Sequence, residues 1–304
     1  YKISVIPKEN LIVQANTKKG LFYGLESLKQ IIYFTKRKRN DVTFTSFDSE
    51  IKVEQINETK SKQNFNAANL TTTGYKNVNE TGYYQGLEKV ETKSLDVYNI
   101  LPMIVEDFPR FKHRGMMLDV SRHFMPKEFI KKFLDVLAIH KMNKFHWHLT
   151  DDQGWRIEIK RYPKLTEIGS KRDETLIGHA RFAGKNPKYD GIPHGGFYSQ
   201  NDIKEIINYA ENKFIEIIPE IDMPGHTAAM IASYPELGTS KQNITVKKSW
   251  GVQDEILIPL ENTFNFLDGV FKEISELFPS QYIHIGGDEA RKKQWIESDQ
   301  VQNL

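Results

Sequence analysis

Residues 143–152 read NKFHWHLTDD, a short apolar run that ends at its carboxyl side in two adjacent acids. Three further apolar runs likewise end at their carboxyl side in acids or a histidine: GMMLDV at 115–120, FIEIIPEIDMPGH at 214–226 and YIHIGGDE at 282–289. Helical patterns separate them. MPKEFIKKFLDVLAIHK has Pro126 near its start and Phe129, Phe133 and Leu137 on one face. SQNDIKEIINYAENK opens with Ser199 and, three residues on, Asp202, a capping-box pattern. TFNFLDGVFKEISELF carries a stripe of Leu267, Val270, Phe271, Ile274 and Leu277. Apolar runs alternating with amphipathic helices predict βα units around a mainly parallel sheet. In a parallel barrel the residues just past the strand ends converge on one mouth, so Asp119, Asp151, Asp152, Asp222, His226, Asp288 and Glu289 are expected on a common rim.

Any single acidic strand end also reads as a helix cap. Gly286-Gly287-Asp288-Glu289 in particular suits an exposed turn entering the acidic first turn of a helix. The alternative is a tight turn at a strand mouth, where neighbouring carboxylates push each other's pKa apart and one stays protonated as an acid. Four such ends in succession are hard to explain as caps.

The chain has 304 residues, of which 39% are hydrophobic and 12% aromatic, enough for one large domain and a smaller piece. A net charge of +2 gives no basic excess of the kind nucleic-acid binding requires. No run approaches the ~18–20 apolar residues of a membrane span. The absence of cysteine excludes disulfides and thiol catalysis. The chain opens at Tyr1 without a methionine or signal-like segment, as a mature or trimmed fragment does.

Residues 1–35 read as strand, strand, helix: Ile3 and Val5, then Leu11, Val13 and Ala15, alternate with polar residues, and Leu21, Leu25, Leu28 and Ile32 recur at helical spacing. Residues 36–99 begin with KRKR and are rich in Asn, Thr and Lys. They predict an inserted polar segment with little packed structure, and N-x-T sequons stand at Asn57, Asn69 and Asn79, with another at Asn243. Residues 100–304 hold the βα units.

LDVSRHF at 118–124, FHWHLTDDQGWRIEI at 145–159, PEIDMPGH at 219–226 and HIGGDE at 284–289 resemble, in order, the motifs of family 20 glycoside hydrolases, the β-N-acetylhexosaminidases. Residues 1–35 look like the end of the small α+β domain that precedes the barrel in that family. The resemblance implies a (β/α)8 TIM-barrel catalytic domain. The stretch from Arg114 falls short of the ~250 residues of a complete barrel, so about its first four units are expected here.

The resemblance further implies a retaining exo-glycosidase that removes terminal β-linked N-acetylhexosamine from an oligosaccharide or glycoconjugate. It implies no cofactor or metal, and a secreted, periplasmic or lysosomal-type compartment. In this family the substrate's own 2-acetamido group is the nucleophile and forms an oxazolinium. Glu289 would then be the general acid and base, and Asp288 would hold the acetamido N–H. Arg122 would bind sugar hydroxyls, and Asp151 and His226 would form a relay to Glu289 with Asp222 in support.

Two other readings use the same residues. His146 and His148 on one strand face, with His226 and Asp288, could ligate a metal in a barrel-type hydrolase. An incomplete barrel could also be a non-catalytic sugar-binding remnant. For His146 and His148 themselves, support of the barrel interior is as good a reading as catalysis, and Trp155 reads as pocket wall or core.

Overall fold

The computed structural model describes residues 1–6, 11–37, 51–55, 100–178, 182–184, 186–239 and 243–304. They form two compact units, Tyr1–Lys112 and His113–Leu304. Among the described residues no helix is long and apolar enough to cross a membrane.

The first unit is a four-stranded sheet with one helix. β1 (Lys2–Val5) runs antiparallel to both β2 (Leu11–Ala15) and β4 (Met103–Glu106), while β3 (Ile51–Gln55) is parallel to β2. Helix α1 (Lys18–Arg37) follows β2. Ile3, Leu11, Val13 and Leu28 are buried together, and Leu21, Leu25 and Ile32 pack against them, so alternation and helical spacing meet in one core. Each such side chain contributes about 1.5–3 kcal/mol when fully buried. Two sequence expectations change. Residues 51–55 of the polar segment form a strand because β2 offers a free edge, and β4 ties residues 103–106 to β1, which moves the unit boundary from residue 100 to Lys112. Asn57, Asn69 and Asn79 lie outside the described residues; Asn243 is exposed.

The second unit is built from βα units. β5 (Gly115–Asp119), β6 (Lys144–His148) and β7 (Glu216–Glu220) are parallel, with β6 central. Helix α2 (Lys127–Ile139) joins β5 to β6, and α3 (Gln200–Glu211) precedes β7. α3 starts with the expected capping box: the Asp202 N–H donates to Ser199 Oγ at 3.1 Å, and the Ser199 N–H donates to Asp202 Oδ2 at 3.1 Å. Helix α4 (Glu261–Leu277) leads to the segment around His284, which lies parallel to β7 through the bonds His284 N–H to Pro219 O and Ile221 N–H to His284 O.

Both helix stripes are displaced from the sequence expectation. α2 buries Ile130, Leu134, Leu137 and Ala138, and Phe129 is exposed in the first turn. α4 buries Phe266, Val270 and Ile274, with Leu267, Phe271 and Leu277 only half-buried. Tyr162 decides the second case. Its ring stacks on Phe266 at 4.0 Å and crosses Gly269, where an added Cβ would meet its hydroxyl at 2.6 Å.

The run at 282–285, expected as a buried strand, lies at the sheet edge instead. Tyr282 and Ile285 are 62% and 55% exposed, and Met116 and Met117 on β5 at the opposite edge are 49% and 50% exposed.

Candidate active site

Strand alternation sorts the residues of β6 into two layers. Phe145 and Trp147 are fully buried, with Phe145 against Phe133 of α2, while His146 and His148 point to the opposite face. Register then aligns polar residues across the sheet: Asp119 pairs with His148, His148 with Glu220, and Glu220 with His284. The rim lies two to six residues beyond this row.

Asp151 is the hub of that rim. Its Oδ2 takes Arg122 Nη2 at 2.6 Å and His148 Nε2 at 2.9 Å, and its Oδ1 stands 3.2 Å from His226 Nδ1. Burial opposes its charge, but His148, His226 and Arg122 outweigh that and pull its pKa down to about 2. Arg122 is also held by Asp119 through Nη1 at 3.0 Å. Burial works against the guanidinium charge; Asp151 and Asp119 more than offset it and raise its pKa. His148 Nδ1 faces Glu220 Oε2 at 2.6 Å. Burial disfavours its charge, yet bonds to Asp151 and Glu220 push its pKa up to about 10.

The PGH turn after β7 brings the second half of the site. His226 is buried with a left-handed backbone (φ 54°), its Nδ1 between Asp151 and Asp152, whose Oδ2 is 3.3 Å away. Bonds to these two acids, against burial, push its pKa up to about 11. Asp152 also accepts the Ala228 N–H at 3.0 Å, which anchors the turn. His226 Nε2 then reaches Glu289 Oε2 at 3.4 Å, a long contact of the kind that tightens when substrate closes a site. Glu289 shares the left-handed conformation (φ 48°), which costs a non-glycine residue roughly 1–3 kcal/mol and persists where surrounding contacts enforce it.

Gly286 and Gly287 make this turn possible. Both have positive φ, 63° and 98°, and Asp222 fills the space beside them, its Oδ1 accepting the Gly287 N–H at 3.2 Å. Asp222 is buried, and burial together with the Asp151 and Glu220 charges raises its pKa to about 7 despite that bond. Asp288 is exposed, with its carboxylate near Asp222 and His226.

All six expected site residues therefore gather at one end of the sheet: Arg122, Asp151, Asp222, His226, Asp288 and Glu289. The tight-turn reading of Gly286-Gly287 agrees with their positive φ, and neither reading foresaw the buried Asp222 carboxylate behind them. Sequence reasoning left His148 open between support of the barrel interior, catalysis and metal ligation, and gave Glu220 no role. The i, i+2 spacing of His146 and His148, and of Glu220 and Asp222, was the available signal, since it places each pair on one strand face. Trp155 belongs to the core: it is buried, and its indole N–H donates to Ile157 O. Arg156 is also fully buried, tying loops together by donating to the carbonyls of Val120, Ser121, Ser170 and Gly196.

Ligating atoms approach within 4.8 Å in four triplets among the described residues: His146–Glu220–His284, His148–Asp151–Asp222, Asp151–Asp152–His226 and Asp222–His226–Asp288. None joins His146 or His148 to both His226 and Asp288, the set that a metal-dependent reading of the sequence combined. The two strand histidines turn to Glu220 instead, each at 2.6 Å.

Residues 111–304 match the model for glycosyl hydrolase family 20, catalytic domain. The beta-hexosaminidase of Porphyromonas gingivalis is 45% identical over 202 residues, 64% of this chain and 24% of that protein. Among solved structures, a β-N-acetylhexosaminidase from Bacteroides fragilis is 34% identical with a TM-score of 0.63, covering 100% of this chain and 45% of that one. An exo β-N-acetylglucosaminidase from Vibrio harveyi in complex with N-acetylglucosamine is 42% identical with a TM-score of 0.56, covering 66% of this chain and 31% of its own. The chain thus spans less than half the length of each of these relatives.

Proposed function

Because the chain belongs to glycoside hydrolase family 20, whose catalytic domain is a TIM barrel, we propose that it carries the acid-bearing part of an exo-β-N-acetylhexosaminidase. The observation that carries this reading is the line Asp151–His226–Glu289, with steps of 3.2 and 3.4 Å, beside Asp288. Glu289 protonates the departing glycosidic oxygen and later activates water. Asp288 orients the substrate's acetamido N–H and faces the positive charge of the oxazolinium. Arg122, held by two carboxylates, presents its guanidinium to sugar hydroxyls. The N-acetylglucosamine bound by the Vibrio harveyi relative supports an N-acetylhexosamine as the terminal, non-reducing unit that is released.

The same reading includes the architecture. The three parallel strands and the His284 segment are the first four of eight barrel strands, and the open edges at Met116–Met117 and Tyr282–Ile285 are where the others pair. Residues 1–112 serve as the small domain ahead of that barrel. The test is Glu289→Gln in the full-length enzyme carrying this chain. Acid–base catalysis is worth about 10²–10⁴-fold, so hydrolysis of N-acetylglucosaminides falls by that order, and near-normal turnover overturns the assignment.

A further inference from the structure

Glu220 has no work in the scheme above, yet it is among the most tightly held acids of the unit. It is 4% exposed, and its Oε2 takes both His146 Nε2 and His148 Nδ1 at 2.6 Å. A carboxylate buried this deeply is costly unless paired, and apolar residues of similar volume often serve stability as well or better. Burial alone therefore does not call for an acid at this position.

Its contacts lead to the reaction centre. His148, 5% exposed, uses one ring nitrogen on Glu220 and the other on Asp151, so the imidazole is fixed from both sides and cannot turn. That bond and Arg122 occupy Asp151 Oδ2, which leaves Oδ1 for His226 and, through it, Glu289. We propose that Glu220 and His148 are positioning residues for acid catalysis: they lock the Asp151 carboxylate in the one rotation that presents Oδ1 to His226. Neither touches substrate. The proposal rests on the reading of Glu289 as the acid, and goes beyond it by assigning two residues one strand-layer below the rim.

A purely architectural role and a positioning role differ in what they do to leaving groups. The test uses the full-length enzyme and two substrates, phenyl N-acetyl-β-glucosaminide, whose poor leaving group draws on the acid, and its 2,4-dinitrophenyl analogue, whose leaving group departs unaided. Glu220→Gln and His148→Gln are each expected to lower kcat on the phenyl glycoside by about tenfold or more, part of the ~10²–10⁴-fold that acid–base catalysis supplies. On the dinitrophenyl glycoside the loss stays under about threefold, and KM moves little on either. Equal losses on both substrates, unchanged rates, or failure of both variants to fold overturn the positioning role. Glu289→Gln is run alongside. Leaving-group-selective loss in that variant alone overturns only the role of Glu220 and His148, whereas no selectivity in Glu289→Gln overturns the acid reading itself.

Discussion

The Asp222 carboxylate lies so close against Gly286 that a Cβ there would come within 1.8 Å of Oδ1. With φ at 63°, Gly286 is constrained twice, by backbone conformation and by its neighbour. Gly286→Ala must push Asp222 aside, break its bond with the Gly287 N–H and move Glu289 away from His226. Loss of nearly all turnover by a variant that still folds, seen by kinetics and circular dichroism, is the expected outcome. Normal activity would show that the turn tolerates displacement.

Asp288→Asn tests the nucleophile. A carboxylate that steadies an oxazolinium acts as charge develops, so its loss falls mainly on kcat, with KM little changed. A thiazoline mimic of the cyclic intermediate binds the native enzyme far more tightly than N-acetylglucosamine and loses most of that advantage in the variant. A covalent sugar adduct on an aspartate or glutamate, trapped with a slow fluorosugar and detected by mass spectrometry, is the outcome that defeats substrate assistance.

Arg122→Lys separates charge from geometry. The guanidinium engages Asp119 and Asp151 at once, at 3.0 and 2.6 Å, and a lysine ammonium has no planar fork to do both. KM for the aryl glycoside should rise about tenfold or more, an exchange worth ~1.4 kcal/mol, because the sugar loses a fixed donor. A KM within twofold of native would remove Arg122 from sugar binding.

Asp222 makes stability depend on pH with a defined sign. Its folded pKa of about 7 lies above its ordinary 3.8, so between those values the native state holds a proton that the unfolded state has released. Stability from this group therefore declines as pH rises from about 4 to 7. His148 and His226, raised from 6.5 to about 10 and 11, continue the decline: their stabilisation is complete below about 6.5 and is lost as pH rises through their folded values. The melting temperature of the native protein should fall steadily relative to that of Asp222→Asn from pH 4 to 7 and then level off. A constant difference over that range would contradict the raised pKa.

What the sequence disclosed depended on the range of the interaction. Strand ends bearing Asp119, Asp151, Asp222 and Asp288 were visible because an acid after an apolar run is a local signal. The capping box at Ser199 and Asp202 was visible for the same reason. The three contacts that define the site, Asp151–His226, His226–Glu289 and Glu220–His148, join residues far apart in the chain, so their pairing emerges only from strand order and register. The α2 and α4 stripes shifted because both helices carry more apolar residues than one face can bury, and tertiary partners such as Tyr162 made the choice. The strand at Ile51–Gln55 showed only a short alternation, Ile51 and Val53 between polar residues, inside a polar segment, and it pairs with β2.

The polar row Asp119–His148–Glu220–His284 also acts as an alignment pin for the sheet. A slip of β6 by a single residue would turn His146 and His148 into the apolar layer under α2 and expose Phe145 and Trp147 on the other side. The penalty is then double, since two imidazoles lose their carboxylate partners while two large rings lose their packing. A sheet with a purely aliphatic inner face would have only the second penalty to resist misthreading. Charge placed inside this fold thus fixes which residues of each strand stand opposite one another, and with them the height at which every rim residue emerges.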